Sequence, residues 1–196
     1  VIANVFGTGA LADIFFISFR VPNLMRKLFS DGSLSIAFIP YFMKFYENKG
    51  KKAAFEFACS FTSVILLLIS LLIIGGFFFT PALVKFLAPG FSGDSDKSLL
   101  AIHMIRIMLP FILIIAFSAL SMGVLNALGH FFIPAFLPVV LNLSIIVSAL
   151  FLKDIFHGEI TALAYGVLLG GVFQFFLLIP FLFKKGMLFL FSIGLY

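Results

Sequence analysis

From Phe57 to Thr80 the chain runs without a charged residue. An apolar stretch longer than the ~20 residues that carry a helix across a bilayer can fold into little else than a membrane span. Further apolar stretches follow near residues 99–128, 133–152 and 160–183. In hydrocarbon the backbone has no water to bond, so each run must satisfy its own N–H and C=O groups as a helix. The composition points the same way, with 63% hydrophobic and 11% charged residues. Soluble domains carry roughly 25% charged residues, and a water-soluble globule cannot hide this much apolar side chain. A signal peptide or a single anchor would show one such run rather than several.

These runs define an all-α polytopic membrane protein with one transmembrane domain over residues 1–196. Its expected spans are 9–46 (bent), 54–80, 99–128, 133–152 and 160–183. Pro22, Gly32 and Pro40 read as interruptions of the first span, and Pro110 as a kink in the third. The segment Ala88-Pro-Gly-Phe-Ser-Gly-Asp carries turn chemistry, and Asn126 to His130 forms a short turn. Lysines 44, 49, 51, 52, 184 and 185 alternate onto one side, and Lys85, Lys97 and Lys153 with Asp94, Asp96, Asp154 and Glu159 onto the other. The first side is therefore cytoplasmic. On that reading Val1 begins outside, which calls for an earlier crossing; together with the absence of an initial methionine, this suggests an excerpt. The net charge of +5 belongs to loops between spans and points to membrane topology, with no nucleic-acid partner. Cys59 stands alone, so no internal disulfide forms.

The first span is the informative one, because charges inside a bilayer cost several kcal/mol unless they face water, a partner or a ligand. It carries Asp13, Arg20, Arg26, Lys27 and Asp31. At 100° per residue, Arg20, Asn23, Lys27 and Asp31 fall within about 80° of arc measured from Asp13, with Arg26 roughly 60° beyond. Over about 27 Å this is a polar stripe nearly as long as the hydrocarbon core is thick, as a water-filled pathway requires. The structural alternative has the bases snorkelling and the acids pairing with them. Arg26 is the better anion ligand, since a guanidinium fork holds phosphate by two hydrogen bonds, whereas Lys27 reads as structural. Asp13 cannot bind an anion directly; it either positions a base or forms an ion pair near the outer mouth.

Elsewhere, Arg106 lies close enough to the start of its span to reach the interface. Asn142 and Gln174 read as hydrogen bonds between helices, and Gly166, Gly170 and Gly171 as a close-packing surface. His103, His130 and His157 lack metal-ligand spacing, and neither a Walker A loop nor a G-x-S-x-G elbow occurs. Neither a catalytic residue, a metal site nor a cofactor is expected.

Phe6-Gly-Thr-Gly, Ala12-Asp13-x-Phe15, Arg20-x-Pro22-Asn23-Leu24-x-Arg26, Asp31-Gly32 and Ala37-Phe38-x-Pro40 together resemble the start of the MurJ (MviN) lipid II flippases. The similarity continues through Ala88-Pro-Gly-Phe, Leu125-Asn126-Ala127, Ile133-Pro134-Ala135-Phe136-x-Pro138, Leu141-Asn142, Gly170-Gly171-x-x-Gln174 and Lys185-Gly-Met. It implies one lobe of a transporter of the multidrug/oligosaccharidyl-lipid/polysaccharide flippase type in a bacterial inner membrane. The resemblance further implies translocation of lipid II from the cytoplasmic to the outer leaflet by alternating access, with membrane lipids and cell-wall synthesis proteins as further candidate partners. By motif position Arg26 becomes a cavity arginine, Asn23 its polar neighbour, Arg20 a basic cavity position, and Asp13 and Asp31 gating or charge-pairing acids. A flippase for another undecaprenyl-linked saccharide shares the basic cavity. A membrane enzyme acting on polyprenyl phosphates would instead need clustered acidic metal ligands, and Glu47 and Glu56 are isolated.

Overall fold

The computed structural model describes residues 5–6, 9–30, 33–91, 94–155 and 160–186, and among these it contains helices and turns but no strand. The long elements are α1 (Ala10–Ser30), α2 (Ser33–Leu87), α3 (Ser95–Ala127), α4 (Phe132–Val147) and α5 (Thr161–Lys184). A 3₁₀ turn at Pro89–Phe91 follows α2, and a π-helical stretch at Ser148–Leu152 extends α4. Four stretches are long and apolar enough to cross a membrane by length and composition: Ala37–Leu87, Ser95–Ala127, Phe132–Leu152 and Thr161–Lys184. Helix α1 is not among them, because it carries Asp13, Arg20, Arg26 and Lys27.

Helix α2 is two legs joined at Gly50, whose φ of 85° and ψ of 173° lie outside the helical region. The left-handed half of the map suits a residue without Cβ, so the chain reverses here on one glycine. Ring contacts fix the direction of the reversal: Phe38 meets Phe61 at 5.2 Å, Phe42 meets Phe55 at 6.1 Å and Phe45 meets Phe57 at 4.8 Å between centroids. Positions before the glycine thus pair with positions after it, as in an antiparallel hairpin. The lysine-rich segment expected as a loop is this tight turn.

The prolines of the first expected span do not end helices. Pro22 lies inside α1 and Pro40 inside α2, each flanked by continuous helix. A helix tolerates the lost N–H when tertiary packing holds the turn, and Pro22 is buried. Gly32, with Asp31, lies outside the described residues.

Helix α3 is the centre of the bundle, packed against α1, α2 and α5. Beyond Arg106 it is apolar on almost every side, the pattern of a helix surrounded by protein or lipid. Met104, Ile105, Met108, Phe111, Ile112, Ala116 and Leu120 are all buried. Asp94 starts it: Asp94 Oδ1 accepts from the Lys97 amide at 3.1 Å, and Oδ2 pairs with Lys97 Nζ at 2.9 Å. The side-chain bond to Lys97, followed by the amide bond, holds the Asp94 carboxyl below its ordinary value. A Schellman motif ends the helix: Gly129 at φ 78° donates to Asn126 O, and His130 donates to Leu125 O at 2.8 Å.

Helices α4 and α5 meet along a glycine seam. A Cβ on Gly166 would lie 2.5 Å from Ser148 Cβ, and one on Gly170 would lie 2.8 Å from Leu141 Cδ1. Gly171 faces the ring of Phe111 on α3, at 2.7 Å from its would-be Cβ. The expected close-packing surface is therefore a three-helix contact. Ser148 Oγ, at the start of the π-helical stretch, donates to the Ala162 carbonyl across the same seam.

Candidate functional site

Helix α1 buries Ile14, Phe15 and Ser18, and Ser18 Oγ donates to Ala101 O of α3 at 3.4 Å. The opposite side, with Asp13, Arg20 and Lys27, is exposed. Between these sides lie Asn23 and Arg26, both half-buried. They border a cavity of about 150 Å³ together with Phe19, Ile115 and Met122, the α4 face Pro134, Leu137, Pro138, Leu141 and Asn142, and Gln174 of α5.

Arg26 is held within this cavity by its neighbour one turn earlier. Nε and Nη2 both donate to Asn23 Oδ1, at 3.2 and 3.1 Å. One carboxamide oxygen thus engages one edge of the guanidinium, leaving the Nη1 end with no protein acceptor among the described residues. A guanidinium so fixed, beside apolar walls that weaken screening by water, has the donors and charge that a phosphate or carboxylate oxygen would pair with.

The opposite wall carries two carboxamides. Gln174 is 2% exposed and donates from Nε2 to Leu137 O at 2.6 Å, while its Oε1 has no partner among the described residues. A carbonyl only accepts, so Leu137 O fixes which end of the amide faces it. Gln174 therefore makes the helix-to-helix bond expected of it, and it also borders the cavity. Asn142 lies on that border as well. The spacing Pro134, Pro138, Asn142 is i, i+4, i+8, one face of a helix, and this was the available signal that α4 supplies a wall.

Of the residues expected at the site, the structure joins Arg26 and Asn23. Arg20 is exposed and does not border the cavity, and Asp13 is exposed in the first turns of α1. Asp31 lies outside the described residues.

Comparison with known proteins bears on the family of the chain. Residues 2–194 match the family described as lipid II flippase MurJ. The chain is 41% identical over 187 residues to a probable lipid II flippase MurJ of Buchnera aphidicola subsp. Acyrthosiphon pisum, covering 95% of this chain and 37% of that protein. It is 36% identical over 186 residues to the lipid II flippase MurJ of Burkholderia cenocepacia, covering 95% and 36% respectively. A solved structure titled lipid II flippase MurJ, inward closed conformation, superimposes with a TM-score of 0.79 at 28% identity, covering 96% of this chain and 39% of that one. The chain thus spans little more than a third of the length of these relatives. With its long apolar helices, it is a multi-pass bacterial inner-membrane chain, and it belongs to the MurJ lipid II flippase family.

Proposed function

We propose that this chain supplies one lobe of a transporter that carries lipid II from the cytoplasmic to the outer leaflet by alternating access. In this reading Arg26 holds the substrate's diphosphate. The observation that carries it is the Arg26 guanidinium, anchored along one edge by Asn23 and open at the other, in a cavity walled by α1, α3, α4 and α5. A diphosphate offers only acceptor oxygens at neutral pH, and the free end of a guanidinium offers only donors. Arg20, on the exposed side of α1, would add positive potential where a second lobe faces the first. Asp13 on that same side would pair with a base during the cycle.

The test is binding by the complete gene product of an undecaprenyl-diphosphate-linked saccharide, followed by native mass spectrometry. Hydrogen bonds to charged groups contribute about 1.5–3 kcal/mol, so Arg26→Ala should weaken binding roughly 10- to 100-fold. Arg26→Lys keeps the charge without the fork and should fall between. Unchanged affinity in a well-folded Arg26→Ala protein would remove Arg26 from the substrate site.

A further inference from the structure

Arg106 stands on α3 far from the cavity and has no part in the function proposed above. Its surroundings are unusual for a charge. Pro81 has no N–H, so the Phe77 carbonyl one turn earlier loses its helical partner. Arg106 Nε donates to that carbonyl at 3.3 Å, and the guanidinium carbon lies 4.4 Å from the centroid of the Phe77 ring. Thr80 Oγ1 donates chiefly to Gly76 O at 2.7 Å and lies 3.2 Å from the Phe77 oxygen. The Nε side of Arg106 is thereby fixed. Its Nη groups have no acceptor among the described residues, where the one ion pair is Lys97 with Asp94.

The surface around this guanidinium is apolar and open. Phe78 and Phe79 are 74% and 69% exposed on α2, and Leu99 is 63% exposed on α3. Along α3 one stripe runs Leu99, His103, Arg106, Pro110, with Arg106 half-buried and the other three exposed. His103 thus lies one turn nearer the Ser95 end than Arg106, on the same stripe. At 1.5 Å per residue Arg106 is about 14 Å past Lys97, and Phe77 is about 15 Å short of Leu87, so both helices place this pair at one depth below the same end of the bundle. Side chains on a helix lean toward its N-terminus, here the Ser95 end. Hydrocarbon offers a guanidinium no acceptor, and leaving its N–H groups unpaired costs several kcal/mol. Phe77 lies only three residues, about 5 Å, inside the Thr80 end of the charge-free run. The acceptors that a bilayer supplies at that edge, within reach of a long side chain leaning toward it, are lipid phosphates.

We propose that Arg106 and His103 form a binding site for the phosphate of an anionic phospholipid on the membrane-facing surface between α2 and α3. The Nη donors of Arg106 and a ring N–H of His103 bond the phosphate oxygens, and Phe77 and Leu99 border the upper acyl chains. The site favours phosphatidylglycerol over phosphatidylethanolamine, because the ammonium of the zwitterionic lipid already neutralises its own phosphate.

The complete gene product, released from vesicles containing equal amounts of these two lipids, is compared by native mass spectrometry with its variants. Wild type should retain phosphatidylglycerol in preference, on the order of threefold. Arg106→Gln should abolish the preference, Arg106→Lys should keep part of it, and His103→Gln, which leaves the Phe77 carbonyl capped, should reduce it. Inorganic phosphate at millimolar concentration should not displace the lipid. An undiminished preference in Arg106→Gln and His103→Gln would overturn the proposal, leaving Arg106 as a cap for the Phe77 carbonyl or the partner of an acid elsewhere in the protein. Displacement by free phosphate would also overturn it, in favour of a soluble-anion site.

Discussion

A single carboxylate outside the membrane sets where the central helix begins. Asp94 bonds the Lys97 amide and pairs with the Lys97 ammonium, and its lowered pKa links that start to pH. A depressed carboxylate contributes stability at pH values above its ordinary range, and the contribution is lost as pH falls through the lowered value. The protection factor of the Lys97 amide, its exchange rate corrected for the intrinsic rate at each pH, should therefore be higher at neutral pH and fall as pH drops through the lowered carboxyl value. Asp94→Asn should keep the cap but lose this pH dependence, while Asp94→Ala should fray the first turn at every pH. Arg26 could be singled out from its place in a charged span and its phosphate-binding fork. Its engagement by Asn23 could not, because an i, i+3 pair on a helix can bond to each other or point apart and only packing decides. Asn142 and Gln174 were legible as polar groups among apolar helices, but the cavity they border forms only when α1, α4 and α5 come together.

Helix existence follows from long apolar runs, whereas helix ends depend on local chemistry that a hydropathy pattern does not contain. The reversal at Gly50 shows this: lysines announce a loop over residues 47–53, yet one residue with positive φ is the whole connection. Gly50→Ala should destabilise the hairpin by roughly 1–3 kcal/mol, the cost of holding a residue with Cβ at φ 85° and ψ 173°, a region open essentially to glycine alone, read as a lower melting temperature in detergent. Prolines mislead in the other direction, since Pro22 and Pro40, which read as interruptions, both lie within helices. The glycine seam was visible as Gly166-x-x-x-Gly170, but its partners Ser148 and Leu141 were not. Gly166→Ala places a methyl against Ser148 and the Ile145 backbone, and overpacking of this kind costs about 1–3 kcal/mol. Gly75→Ala, where a Cβ meets nothing within 4 Å, is the control and should leave the melting temperature at or above that of wild type.

For the molecule as a whole, the fold gathers charge at the ends of the bundle. The Gly50 turn and the α5 terminus lie together, with Lys51 Nζ 3.4 Å from a Cβ built on Gly186; this end brings together the lysines at 49, 51, 52, 184 and 185. The other end has Lys85, Asp94 and Lys97. We place the lysine-rich end in the cytoplasm, and reporter fusions near residues 50 and 90 should show opposite sidedness, the first inside. Reversed sidedness would refute that orientation. In the proposed function the exposed polar side of α1 would oppose whatever completes the cavity, so the test uses the complete product. The most direct measurement is lipid II translocation by the complete gene product in proteoliposomes, scored by exposure of labelled head group to an enzyme confined to the receiving side. Wild type should expose the head group; Arg26→Ala, inserted to the same level, should slow exposure by at least about tenfold, and Arg26→Lys should retain part of the rate. An Arg26→Ala protein that translocates at the wild-type rate would contradict a diphosphate-holding cavity centred on Arg26.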